Sequence, residues 1–146
     1  MNNILDRQTF VFSIDLNGLS PSEISTNLNL RFAADELILR SICYTSENVD
    51  LADVVQIWCN ITNDGLIGSF PNAGNDLNGA VPIFLALNNH FRINNTFQTG
   101  NFTLQFQTTD QGSPFYYNPQ PLISSQAPQR TGGTVSITIE FIKLAK

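Results

Sequence analysis

The side chains able to do chemistry are few and scattered. His90 is the only histidine and stands beside Asn88 and Asn89, in a segment that reads as a loop-to-strand junction. A facial metal set needs several histidines and carboxylates, and a nucleophile needs a positioned base. One histidine at a junction supplies neither and reads as a surface or turn residue. No HExxH, GxSxG, P-loop or CxxC pattern occurs. A glycosidase needs two carboxyl groups facing one bond. Asp35 and Glu36 are adjacent, so they point apart on a strand, and Asp50 and Asp53 flank a loop. Asn72, Asn75, Asp76 and Asn78 could offer oxygens to calcium, but they lack EF-hand spacing and charge density. An Asx-rich turn is the plainer reading. The expectation is a chain with no catalytic residues, no metal and no cofactor, and therefore not an enzyme.

Two aromatic features remain. Trp58 lies within a strand pattern and reads as core filler. Phe115, Tyr116 and Tyr117 are consecutive in residues 110–131, a stretch that also holds Pro114, Pro119, Pro121 and Pro128. Three adjacent aromatics cannot all turn inward, and so long an irregular segment in a compact domain is usually functional. Prolines stiffen it, and aromatics give large contact area with few rotatable bonds. Phe115, Tyr116 and Tyr117 are therefore the expected anchors of an intersubunit contact.

Composition sets the outer limits. At 146 residues, the chain 1–146 is expected to be one domain, long enough to bury a core without disulfides. Charged residues make up only 13%, about half the usual share, while 17 Asn stand against 2 Lys. Such a surface repels its neighbours weakly, which suits a subunit among subunits. The net charge of −5 and the scattered arginines argue against nucleic acid as a partner. No apolar run is long enough to span a membrane as a helix, and no signal peptide is evident, so no membrane partner is expected. Cys43 and Cys59 sit in apolar runs and read as two reduced, buried thiols.

Period-two alternation dominates and predicts an all-β fold of about eight or nine strands. Residues 8–16, 26–32, 36–45, 53–62, 66–70, 81–87, 91–97, 102–108 and 134–144 carry the pattern. Asn63-Asp64-Gly65 is a hairpin signal, Asn88-Asn89 reads as punctuation and Thr99-Gly100 as a turn. Alternation places Leu37 and Leu39 on one face, with Ile38, Ile42 and Tyr44 on the other. The predicted core is Phe10, Phe12, Ile14, Leu37, Leu39, Ile57, Leu104, Phe106, Val135, Ile137, Ile139 and Phe141. The expected architecture is a two-sheet β-sandwich, a single jelly roll.

In RFAADELILRSICY (31–44), QIWCNITNDGLIGSF (56–70) and GGTVSITIEFIK (132–143), the chain resembles small jelly-roll virion proteins. The likeness is to the penton or minor capsid proteins of virophages and polinton-like viruses. It covers most of residues 10–143 and is one of pattern, with no invariant motif. It implies a structural capsid protein, located in the virion after synthesis in the host cytoplasm. Its partners would be itself, as a homo-oligomer with a pentamer favoured over a trimer, and neighbouring capsid proteins. It carries no catalytic residue over. The chain is shorter than penton proteins with an added outer domain, which leaves a cement or other minor capsid role open. The alternative is a carbohydrate- or receptor-binding β-sandwich, trimeric in the manner of tumour-necrosis-factor-like domains.

Overall fold

A computed structural model describes residues 3–15, 23–46, 54–71, 81–108 and 133–145. Among them, six strands form one antiparallel sheet: β1 (Ile4–Asp15), β2 (Glu23–Ser46), β3 (Val54–Cys59), β4 (Leu66–Pro71), β5 (Val81–Thr108) and β6 (Gly133–Leu144). Their order is β1-β6-β2-β5-β3-β4. The all-β class is as the sequence predicts, but the described sheet is single and has six strands. The difference lies in β2 and β5. Residues 26–32 and 36–45 belong to one strand of 24 residues, and residues 81–87, 91–97 and 102–108 to one of 28. Asn88-Asn89 does not interrupt β5, and Thr99-Gly100 lies inside it rather than in a hairpin.

These two strands bend. Their mutual register shifts between Asn29 and Ala34 and again between Ala34 and Glu36. On β5, Asn95 and Thr96 take positive φ of 55° and 67°. Shifts of this kind bend a strand and sharpen its twist. The sheet therefore curls into two facing arms. The first arm holds β1, β6, residues 36–46 of β2 and 81–92 of β5. The second holds residues 23–29 of β2, 99–108 of β5, β3 and β4. The Asn63-Asp64-Gly65 hairpin joins β3 to β4 as predicted, with Gly65 at φ 78° and the Cys59 N–H donating to the Gly65 carbonyl at 2.7 Å.

Aromatic rings from the two arms meet between them. Phe12 lies 5.0 Å from Phe102, centroid to centroid, and Tyr44 lies 4.8 Å from Phe70. Of the predicted core, all are buried except Phe10 and Ile14, which are half-buried and packed on its edge. One face assignment is overturned. A register shift against both neighbours between Leu39 and Ser41 re-phases β2. Leu37, Leu39, Ile42 and Tyr44 thus share the inward face, and Ile38 alone points outward. On β3, Ile57 and Cys59 face the core, while Trp58 is partly exposed with its ring over Gly65, so it is not core filler.

Ile137 is fully buried in the central strand of the first arm. Ile137→Ala should lower unfolding free energy by about 2–5 kcal/mol in urea titration. A loss below about 0.5 kcal/mol would contradict the register of β6.

Cys43 and Cys59 are both free thiols. Burial pushes the Cys59 thiol up from its ordinary value of 9.0 to about 11. Between those two values the unfolded chain has lost this proton and the folded chain keeps it. Stability from this group is therefore complete below about pH 9 and declines as pH rises towards about 11. Cys59→Val should remove that decline, a difference on the order of 1–3 kcal/mol in paired alkaline unfolding curves.

Candidate interaction surface

Strand alternation turns every second residue of the first arm away from the core. Towards one end, this outer face is ionic. Ile38 and Ile142 lie there fully buried, although they point away from the core. Glu140 pairs with Ile38 across the β2–β6 ladder, and its side chain is only 9% exposed. The Arg40 guanidinium donates to it at 2.9 Å, Arg7 approaches to 3.7 Å, and the Thr9 hydroxyl donates at 3.5 Å. Arg40 also donates to Asn88, and His90 Nδ1 stands 3.5 Å from Glu36. His90 is thus a half-exposed strand residue beside a carboxylate, not a turn residue.

Further along the same face the side chains are uncharged and mostly small. Cα register sets two rows across the four strands. One row is Val11, Thr138, Ser41 and Ala86; the other is Ser13, Ser136, Cys43 and Phe84. The hydroxyls of Ser13 and Ser136 bond to each other at 2.8 Å. Val11 and Phe84 stand 66% exposed, the largest exposure among the large apolar side chains described.

A polar cleft of about 490 Å³ lies where β2 and β5 change arms, lined by Asp35, Glu36, Asn63, Arg92, Asn94, Asn95 and Thr96 among others. Asp35 accepts the Leu144 N–H at 2.9 Å, whereas Glu36 turns to His90. The two carboxylates diverge, as adjacency predicts. Among the described residues, no group of three or more His, Cys, Asp or Glu is placed to hold a metal ion. No helix among them is long and apolar enough to cross a membrane. Phe115, Tyr116 and Tyr117, the predicted interface anchors, lie outside the described residues, as do Asn72, Asn75, Asp76, Asn78, Asp50 and Asp53.

Sequence reasoning missed the Arg40–Glu140 pair, whose members are 100 positions apart. The available signal was Glu140, a lone charge inside an apolar alternating run.

No family model matches the chain, and no curated protein matches it. Among solved structures, it is similar to the crystal structure of the infectious bursal disease virus VP2 subviral particle. Identity is 11% and the TM-score 0.43, over 97% of this chain and 34% of that one. The structure of the Gx strain of that virus gives 9% identity and a TM-score of 0.35, over 94% of this chain and 33% of that one. A mutant VP2 of the same virus in T=1 particles gives 13% and 0.32, over 94% and 37%. The chain spans about a third of the length of these structures. At such scores the likeness fixes neither fold nor function.

Removing one partner of a buried ion pair costs about 3–5 kcal/mol when both are fully buried. Arg40 is 34% exposed, so Arg40→Ala should cost less, about 1–3 kcal/mol. Arg40→Ala in a Glu140→Gln background should cost clearly less than Arg40→Ala alone. Equal costs in this double-mutant cycle would show the pair to be uncoupled.

Proposed function

We propose that this chain is a structural viral capsid protein of the penton or minor capsid type, which self-associates and packs against neighbouring capsid subunits. Strand order is the observation that carries this reading. Divided at the bends of β2 and β5, the six strands read as eight segments. Four run β1, β6, β2, β5 in one arm and four run β2, β5, β3, β4 in the other. That connectivity fits a single jelly roll, a fold used by capsid proteins and by lectins.

Fold alone does not choose between those uses. Surface chemistry favours assembly: few charges, many neutral amides, and an uncharged band on an outer sheet face. Synthesis in the host cytoplasm and residence in the virion accompany this reading.

Light scattering on the purified chain tests it. The expected result is a discrete homo-oligomer, a pentamer rather than a trimer, at neutral pH and about 0.15 M salt. A monomer that binds on a glycan array would favour the carbohydrate- or receptor-binding alternative. A monomer without such binding would overturn both readings.

A further inference from the structure

We infer that the polar cleft at the corner, where β2 and β5 change arms, is a binding site for a neutral saccharide. The inference adds a ligand site to the chain and does not rest on the assembly reading.

The cleft holds about 490 Å³. That falls within the range of small-molecule sites, roughly 300–1,000 Å³. Asp35 and Glu36 reach it from β2, Asn63 from the β3–β4 hairpin, and Arg92, Asn94 and Thr96 from β5. Ile93 and Leu144 add carbon to the wall.

This lining narrows the ligand. Two carboxylates against one guanidinium repel an anion, whether phosphate, sulfate or nucleic acid. The same carboxylates do not converge on a cation, because Asp35 accepts the Leu144 N–H and Glu36 faces His90. An apolar ligand would strip water from these groups and return no hydrogen bonds. The ligand that satisfies them is uncharged and rich in groups that both donate and accept. Sugar hydroxyls do both.

Arg92 is the anchor. Its ladder partner Glu36 turns to His90, and Arg92 makes no ion pair among the described residues. Arg7, Arg31 and Arg40 all do. Its guanidinium donates through a rigid planar fork, which can span two neighbouring hydroxyls. Asn94 gives its Nδ2 to the Thr62 carbonyl at 3.4 Å, which leaves its Oδ1 to accept from a hydroxyl. Backbone bonds fix the lining in advance. The Asn63 N–H donates to the Arg92 carbonyl at 3.0 Å, and the Asn94 N–H to the Ile61 carbonyl at 2.9 Å. Thr96 keeps φ at 67°, a costly value for a β-branched residue. A site held in place before binding loses less entropy when it binds.

A second hollow of about 290 Å³ adjoins the cleft and shares Asp35, Thr96 and Leu144 with it. Leu5 and Ala33 line it, and Leu5 is 62% exposed. The C–H face of an adjoining sugar ring can rest there, so the groove suits an oligosaccharide of at least two rings.

A glycan array displaying neutral, sialylated and sulfated oligosaccharides tests this on the full chain. The expected result is binding to neutral glycans. The best-bound one is then titrated free in solution by ligand-observed NMR. Arg92→Ala and Asn63→Ala should each weaken its binding at least about tenfold. Both side chains are exposed, and cooperative unfolding confirms that the variants fold. Ser25→Ala, on the second arm away from the cleft, should bind as the unaltered chain does. Absence of binding to any neutral glycan, binding confined to sialylated or sulfated ones, or unchanged affinity in either cleft variant overturns the inference. Light scattering on the same sample reads assembly separately. An assembled chain that binds no neutral glycan overturns this site and leaves the capsid reading standing. A monomer that binds neutral glycans through Arg92 supports the site and counts against the capsid reading.

Discussion

Two long strands must bend together, and most of the structure follows from that. β2 and β5 pair along residues 23–29 with 99–105, and again along 36–46 with 81–92. Between those stretches the ladder shifts register, and Asn95 and Thr96 adopt left-handed backbone. Without the bend, the inward faces of the arms would be one flat apolar sheet open to water. With it, Phe12 and Phe141 close on Phe102, and Tyr44 closes on Phe70. The corner is pinned by an isolated bridge between Thr62 and Ile93 and by the backbone N–H groups of Asn63 and Asn94, which donate to the Arg92 and Ile61 carbonyls. Hydrophobic burial supplies the driving force, and the corner supplies the geometry in which burial can occur.

The outer face of the first arm solves two different problems along its length. At its ionic end the buried Ile38 and Ile142, on the outward side of the sheet, are ladder partners of Glu140 and Arg7, and Arg40 pairs with Glu140. The aliphatic stems of arginine can shield such carbon while their guanidinium groups find a carboxylate. Beyond Ser41 the described side chains are mostly small, and Val11 and Phe84 stand exposed among them. One end of the face is thus self-satisfied, and the other leaves apolar carbon in water.

Local alternation was enough to read the strands, the Asn63-Asp64-Gly65 hairpin and most of the core. Continuity was not legible. Asparagine pairs and Thr-Gly favour turns, but they do not enforce one, and partner strands held β5 extended through Asn88, Asn89 and Gly100. The irregularity beside Arg40 was equally hidden. A single extra residue reverses the phase of everything after it, and no side chain announces it. This is why Ile42 and Tyr44 fall on the face opposite to a strict alternation reading. Within the apolar run 81–87, Leu85 and Leu87 take the inward positions and Phe84 points outward. The rows on the outer face needed register between strands distant in sequence, which alternation cannot give.

β6 sits between β1 and β2, and its pairing with β1 joins residues far apart in sequence, Ser13 with Ser136 across 123 positions and Ile4 with Leu144 across still more. On a ribosome, β1 and β2 therefore emerge long before the strand that connects them. β1 must wait, apolar and unpaired, for more than half the chain to be made, whereas β2 finds β5 sooner. Such high contact order slows folding and exposes intermediates to aggregation. For this topology, the vulnerable period is during synthesis, and a holding chaperone would matter most before β6 is translated.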